Sequence, residues 1–554
     1  MRTFLIFILT SILSFTQAQE NAFDNPIIPG SHPDPSICYD GEYFYIVNST
    51  FELYPGLPIN RSKDLVNWEL IGYGLHRQSQ CNAVVNLVDV QSDGGIHAPT
   101  IRYHEGIFYI ITTNVYYHEK KNKTDFINFI ITAKDPAGPW SEPHVLEGAP
   151  GIDPDIFFDD DGRVWYVGTH LPDAPNFSGE GEIWLQEIDL DNWKLIGERS
   201  FLWRGACGGV WAEGPHMYKR NGYYYLMIAE GGTSFNHAVM IAVGDNIRGP
   251  FISNERNPIF TSRHLSYDNW VHSTGHADLI ELNDGRWYMV ALGVRGEEKR
   301  GSNMGRETFL LPVVWEKEPF EWKEIQYEWP VVAPETGKLE PAYDVPFKGT
   351  TQKRSSTFSD DFESEELDLN WNFRRVPSHN MYSLTKRESH LRLNCSKTVF
   401  SNRTSTSFIG FRQTESNFEY LARMSFNPSR NGSEAGITVV QKDDNYITFT
   451  IIREEGSHFI QAVLAMPNSK PQVLKKKELV DYDGSINLQV LSLNHEYIFV
   501  YSMDNNEMVE FHRIEAHHLL SKGYTGAFLG LYATGNGTKT NDYSDFDFIE
   551  YVAF

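Results

Sequence analysis

At 554 residues the chain exceeds one ordinary domain and can bury two full cores. Aromatic residues make up 14% of it, which excludes a disordered chain, and many fall in Tyr/Phe/Trp runs that suit strands. A formal net charge of −25 argues against nucleic acid and against an anionic membrane surface as partners, and leaves a neutral sugar open.

At the N-terminus, Arg2 precedes an apolar run from Phe4 to Leu9 that continues through Ile12, Leu13 and Phe15. Thr16-Gln17-Ala18 then offers small residues where a signal peptidase reads. Residues 1–18 are expected as a cleaved signal peptide, too short to span a membrane, giving a secreted or periplasmic protein. No Cys follows directly to carry a lipid anchor, and no later segment reaches membrane-spanning length. Cys38, Cys81, Cys207 and Cys395 form no CxxC pair and no zinc spacing. Free buried thiols are the simpler expectation, with a bridge from Cys207 to Cys38 or Cys81 left open.

From residue 19 a repeat sets in. Five short aromatic strands follow glycines at 41, 106, 162, 222 and 285, a period near sixty residues. Asp40, Asp161, Asn221 and Asp284 precede four of these glycines, and Asp-Gly and Asn-Gly are favoured hairpin turns because both central residues need positive φ. Each unit reads as a four-stranded hairpin sheet, and five such sheets placed radially make a β-propeller over residues 19–329. Pro330, Pro334, Pro341 and Pro346 mark residues 330–357 as a linker. Residues 358–554 alternate with a period of two, as in Tyr446-Ile447-Thr448-Phe449-Thr450-Ile451, and are expected to form a β-sandwich. The fold class is all-β, a five-bladed propeller followed by a sandwich.

The repeat also indicates which residues share a place in space. Asp34 stands seven residues before its hairpin glycine, and His97, Asp153, Glu213 and His276 each stand nine before theirs. Equivalent offsets put all five side chains on innermost strands around one axis. Burying a carboxylate is costly, because desolvation and like charges both oppose it. A single Asp-Pro reads most simply as a strand end, but three carboxylates at matched offsets point to a site. Glycoside hydrolysis uses one carboxylic acid to protonate the leaving oxygen and one carboxylate to activate water or attack the sugar. A third carboxylate nearby raises the acid's pKa. The residues alone do not distribute these roles.

Gly30-Ser31-His32-Pro33-Asp34-Pro35-Ser36, Gly151-Ile152-Asp153-Pro154 and Ala212-Glu213-Gly214-Pro215-His216 together resemble the hallmark segments of glycoside hydrolase family 43. Asn48-Ser49-Thr50-Phe51-Glu52, Arg306-Glu307-Thr308 and the Phe358–Phe362 opening of the sandwich resemble its two-domain β-xylosidase and α-L-arabinofuranosidase branch, whose C-terminal sandwich is lectin-like. The resemblance implies that Asp34 is the general base, Glu213 the general acid and Asp153 the residue that tunes and holds the acid. It implies that His276 stands at the hub, in some members beside a calcium ion, and that no cofactor is required beyond such a structural calcium. It further implies that Arg295 binds sugar hydroxyls and that Phe51 lines the pocket, although a surface ion pair and a core aromatic account for them as well. His97 departs from the pattern, standing where many relatives have Trp, and bears on which sugar is accepted.

The activity implied is an exo-acting, inverting release of terminal xylose from β-xylosides, with α-L-arabinofuranosidase or dual activity as the alternative. A sugar-binding propeller without catalysis is a more distant one. The expected partner is an oligosaccharide or polysaccharide bearing xylose or arabinose, with no nucleic acid and no membrane insertion.

Overall fold

Each glycine-opened aromatic run forms the second strand of an antiparallel sheet, and the hairpin before it leads back to an inner strand. The five glycines hold φ between +81° and +103°, a conformation open to them because they lack a Cβ. The computed structural model describes residues 21–206, 208–296, 301–316, 327–503, 507–519 and 524–554; the expected signal peptide and Cys207 lie outside the described residues. Cys38, Cys81 and Cys395 are free, buried thiols.

The inner strands are β1 (Ser36–Tyr39), β2 (Thr100–His104), β3 (Ile152–Phe158), β4 (Glu213–Arg220) and β5 (Val271–Glu281). Each leads a separate sheet of four or five strands, and the strands of every sheet are drawn from one continuous stretch of chain. Neighbouring inner strands pack in the order β1, β2, β3, β4, β5, and β5 returns to β1, so the five sheets close a ring. The architecture is the propeller expected, followed by a sandwich, and no α-helix occurs among the described residues.

Ring closure concentrates polar groups on the axis, and one arginine ties them together. Arg102 on β2 donates to Asp278 Oδ2 on β5 at 2.8 Å and lies 3.1 Å from Asp155 Oδ1 on β3. Its other nitrogen sits 3.0 Å from His216 Nδ1 on β4, while Ser36 on β1 donates to the same Asp278 oxygen at 2.7 Å. All five blades therefore meet at one buried ion network, whose members lie a few residues along the strands from the hub positions. Asp278 and Asp155 have no exposed surface.

The Pro-rich stretch 330–357, expected as a linker, packs onto the propeller. Pro330–Val332 is the outer strand of the fifth sheet, pairing Val332 with Val313, and Ala342–Asp344 pairs with the N-terminal strand Ala22–Asp24. Proline is tolerated there because an edge strand leaves some N–H positions without a partner.

In the sandwich, one sheet centres on Phe418–Ser425, Ser485–Leu493 and Tyr543–Ala553, and the other on Glu434–Lys442 and Asn445–Glu454. Alternate residues such as Tyr420, Ala422, Met424, Leu488 and Val490 are fully buried, as a period of two requires. The sandwich docks on blades one, two and five. Leu53–Tyr54 of the propeller pairs with Phe373–Arg374 of the sandwich as a two-stranded ribbon. Beside it, Arg374 holds the buried Glu52 carboxylate at 2.6 Å and Asp443 at 3.0 Å, and Arg375 donates to Val90 O at 2.7 Å. This docking fixes the propeller loop that carries Phe51.

Candidate active site

The hub positions lie where the backbone leaves regular strand geometry. Strands β3, β4 and β5 each slip register against their partners, at Ile152/Asp155, Glu213/His216 and Gly275/Asp278. Asp34, Asp153 and His276 take φ of +52°, +54° and +45°, and Gly214 takes +56°. Non-glycine residues adopt this region at a cost, and a bulge there re-aims a side chain. The bulges turn these groups toward the axis while the strands below stay paired.

Asp34, Asp153, Glu213 and His276 come together around one space. Asp34 is 5% exposed; its Oδ1 accepts from Arg306 Nη1 at 3.0 Å and its Oδ2 from Ser49 Oγ at 2.5 Å. Burial pushes its pKa up, but the Arg306 and His276 charges and the Ser49 hydrogen bond outweigh this and hold it below the usual carboxylate value. Glu213 moves the other way. Burial, then the Asp153 charge, push it up to about 8, so it stands protonated at neutral pH. Asp153 Oδ2 lies 3.4 Å from His276 Nε2. Burial alone would lower His276, yet Asp34 and Asp153 raise it to about 9, making an imidazolium among the carboxylates. Its ring rests against Gly214, where a Cβ would lie 2.8 Å from Cε1, so the residue after Glu213 has to lack a side chain.

The other expected residues divide. Phe51 is 1% exposed and packs against His97 edge-on at 5.2 Å and beneath the Arg306 guanidinium at 5.6 Å, so it backs the hub as a buried aromatic. Burial lowers the His97 pKa, leaving a neutral ring whose Nε2 lies 3.2 Å from Asp93 O. Arg295 is not at the sugar position expected for it. It pairs with Glu307 through two nitrogens at 2.6 and 2.8 Å and with Glu415 at 2.7 Å, which commits its guanidinium to a seam with the sandwich. Arg306, across the connecting loop of the same blade, occupies the hub instead. Gly293 pairs with Glu307 in this blade, which places Arg295 beside the Glu307 carboxylate and leaves Arg306 at the strand entrance.

Two residues of the hub carried no role in the sequence reading. Arg306 stands in a quoted motif, but nothing local shows that it meets Asp34. Tyr524 comes from the sandwich. Its carbonyl accepts from Arg306 Nε at 3.3 Å and Nη2 at 3.2 Å, and its ring lies 5.3 Å from Phe51 and 6.0 Å from His97. No periodicity could have placed a loop residue from the second domain at the hub of the first.

Calcium takes about six to eight oxygen ligands. The groups acting on His276 are the Asp153 carboxylate at 3.4 Å, the more distant Asp34 and Glu213 charges, the His237 ring at 6.5 Å and the Gly214 backbone, and one carboxylate in contact with the ring falls short of such a cage. Among the described residues, the side chains with metal-ligand atoms converging within 4.8 Å are Glu515, His517 and His518 of the sandwich. The imidazolium of His276 itself supplies positive charge at the hub.

The pair Asp34 and Glu213, one held ionised and one held protonated, can act as base and acid across one bond. A family model, glycosyl hydrolases family 43, matches residues 23–320, and a second, the beta xylosidase C-terminal concanavalin A-like domain, matches residues 359–552. A xylosidase/arabinosidase of Butyrivibrio fibrisolvens is 38% identical over 95% of this chain and 98% of its own. A non-reducing end alpha-L-arabinofuranosidase of Bacteroides ovatus, BoGH43B, is 35% identical over 99% of this chain and 98% of its own. Among solved structures, a xylan beta-1,4-xylosidase of Bacillus halodurans superposes with a TM-score of 0.85 at 29% identity, over 96% of this chain and 100% of that one.

Proposed function

The chain belongs to glycosyl hydrolase family 43 and is a glycoside hydrolase acting on xylose- or arabinose-bearing glycans, and on that premise we propose that it releases terminal xylose from β-xylosides, exo-acting and with inversion. Asp34 is the general base, taking a proton from the attacking water. Glu213 is the general acid, giving its proton to the leaving oxygen. Asp153 keeps that proton on Glu213 by its charge, and His276 orients Asp153. Arg306 keeps Asp34 ionised and, with Phe51, His97 and Tyr524, walls the terminal-sugar side.

One observation carries the reading: two carboxylates at one hub are driven in opposite directions, Asp34 down by Arg306 and Glu213 up by burial and Asp153. Glycoside hydrolysis needs these two states at once, and the stereochemical course is read by the product. The test is NMR of the first-formed product from a β-xyloside, in which α-xylose must precede its mutarotated form. β-Xylose formed first would defeat the inverting assignment.

α-L-Arabinofuranosidase activity is the second reading, favoured by the Bacteroides ovatus relative and by the small His97 ring at the pocket wall. Comparing nitrophenyl β-xyloside with nitrophenyl α-arabinofuranoside separates the two. Export by residues 1–18 is part of the same proposal, supported by the Arg2 and apolar-run pattern. N-terminal sequencing of exported protein checks it, with Gln19 expected first.

A further inference from the structure

We propose that Trp211 is the platform of a leaving-side subsite, stacking on the pyranose ring that Glu213 releases. The proposal rests on the reading of Glu213 as the acid.

Trp211 lies two residues before Glu213, on the segment that crosses from Lys194–Trp203 of blade three to β4. It is 45% exposed, a large apolar surface to leave in water beside a buried carboxylate cluster. Its φ of +57° is an outlier for a bulky residue, so the surrounding structure holds it in place. Trp211 N donates to Gly179 O at 2.7 Å, and Gly231 N donates to Val210 O at 2.7 Å. The Glu230 carboxylate, 1% exposed, accepts from Ala206 N at 3.0 Å and Gly209 N at 2.5 Å, which pins the segment from below.

Two glycines close on the indole. A Cβ on Gly179 would lie 3.1 Å from Cε2, and one on Gly232 would lie 3.0 Å from Cδ1. Loops of two neighbouring blades are thus cut back to seat a ring that still presents much of its surface outward. Strained backbone, a buried anchoring carboxylate and paired glycines make a preformed platform, and a preformed platform binds without ordering cost.

Further exposed apolar side chains lie on the same two loops as these glycines. Leu171 and Phe177 lie on the loop from Val164–His170 to Glu182–Asp189, and Phe235 lies on the loop from Tyr223–Glu230 to Ala238–Gly244. They are 54%, 37% and 41% exposed. Ile152 pairs with Thr169 and Glu213 with Ala229, so these loops leave their strands at the end where Asp153 and Glu213 sit. The opposite wall, formed by Phe51, His97 and Tyr524, is enclosed by the sandwich. A sugar chain leaving past Glu213 therefore meets Trp211. The faces of a pyranose carry C–H groups that pack on an aromatic ring, and a β-linked chain presents such a face at each residue.

The test compares wild type with Trp211→Leu and Trp211→Tyr on a matched pair of substrates. Xylotriose carries a leaving disaccharide and β-xylosyl fluoride carries none; arabinosylated xylotriose and arabinofuranosyl fluoride replace them if the wild type prefers that sugar. The ratio of kcat/KM on the trisaccharide to that on the fluoride should fall at least tenfold in W211L and be largely kept in W211Y. An unchanged ratio overturns the proposal. Loss of support for Glu213 would also spare the fluoride, so a fallen ratio counts for the subsite only together with weaker xylotriose binding across the E213Q pair, and without it the proposal is overturned. Calorimetry of xylotriose against E213Q and E213Q/W211L reads the subsite without turnover. Weaker binding by a similar factor supports it, and equal binding overturns it. A wild type that hydrolyses neither pair defeats the proposed function instead, while the calorimetry still decides the subsite.

Discussion

Arg306 and Asp34 stand 272 positions apart in the chain and meet at 3.0 Å, so the last blade sets the charge state of a carboxylate on the first. The N-terminal segment makes the meeting possible: Ile27 N donates to Thr308 O at 3.0 Å and His32 N to Arg306 O at 2.9 Å. Closing the ring and setting the proposed base are one event.

Substitution separates the proposed acid from the proposed base. Glu213→Gln should lower turnover of xylobiose by about 10²–10⁴-fold, the usual worth of general acid–base catalysis. Its loss on β-xylosyl fluoride should be far smaller, because fluoride leaves without a proton. Asp34→Asn should lose heavily on both, since each needs an activated water. Steady-state kinetics on the two substrates check this, and an E213Q loss equal on both removes Glu213 as the acid.

The pH profile follows from the two opposed shifts. Glu213 acts protonated and its pKa is raised to about 8, so kcat/KM should fall as pH rises through about 8. Asp34 acts ionised and its pKa is lowered, so the acid limb should lie below the ordinary carboxylate range. Arg306→Gln removes the main cation beside Asp34, which raises its pKa and moves the acid limb upward. An acid limb at the same pH in R306Q would dissociate Arg306 from Asp34.

Tyr524 offers its carbonyl to Arg306 and its ring to Phe51 and His97. Tyr524→Ala keeps the carbonyl and loses the ring, so KM should rise roughly threefold to tenfold, the worth of an aromatic contact, with a smaller change in kcat. Kinetics on the preferred nitrophenyl glycoside test it. An unaltered KM would make the sandwich loop a bystander.

Arg102→Met should destabilise the whole propeller. It leaves Asp155 and Asp278 buried without their cation, and breaking one side of such a pair costs about 3–5 kcal/mol. A lowered thermal midpoint with an intact far-ultraviolet spectrum in the cold is expected. A midpoint unchanged within a degree or two would show that the network does not hold the blades together.

Much of this was legible in the chain because propeller blades are local. Asp-Gly and Asn-Gly turns, aromatic strands and a near-constant period depend on residues close in sequence, and equal offsets carried Asp34, His97, Asp153, Glu213 and His276 to equivalent places. The pairing of the linker stretch 330–357 was not legible because proline content marks stiffness and says nothing about pairing; an edge strand accepts proline, and the stretch wraps back onto blade five and the N-terminal strand.

By itself the sequence determined the blades, the sandwich and the hub carboxylates, since turn chemistry and hydrophobic period act over a few residues. Tertiary structure alone decided that Arg306 faces Asp34 while Arg295 turns to Glu307, that Arg102 joins five blades, and that Tyr524 reaches the hub. These are contacts between groups brought together by ring closure and domain docking. Their energy comes from distance and burial, and neither quantity exists until the chain has folded.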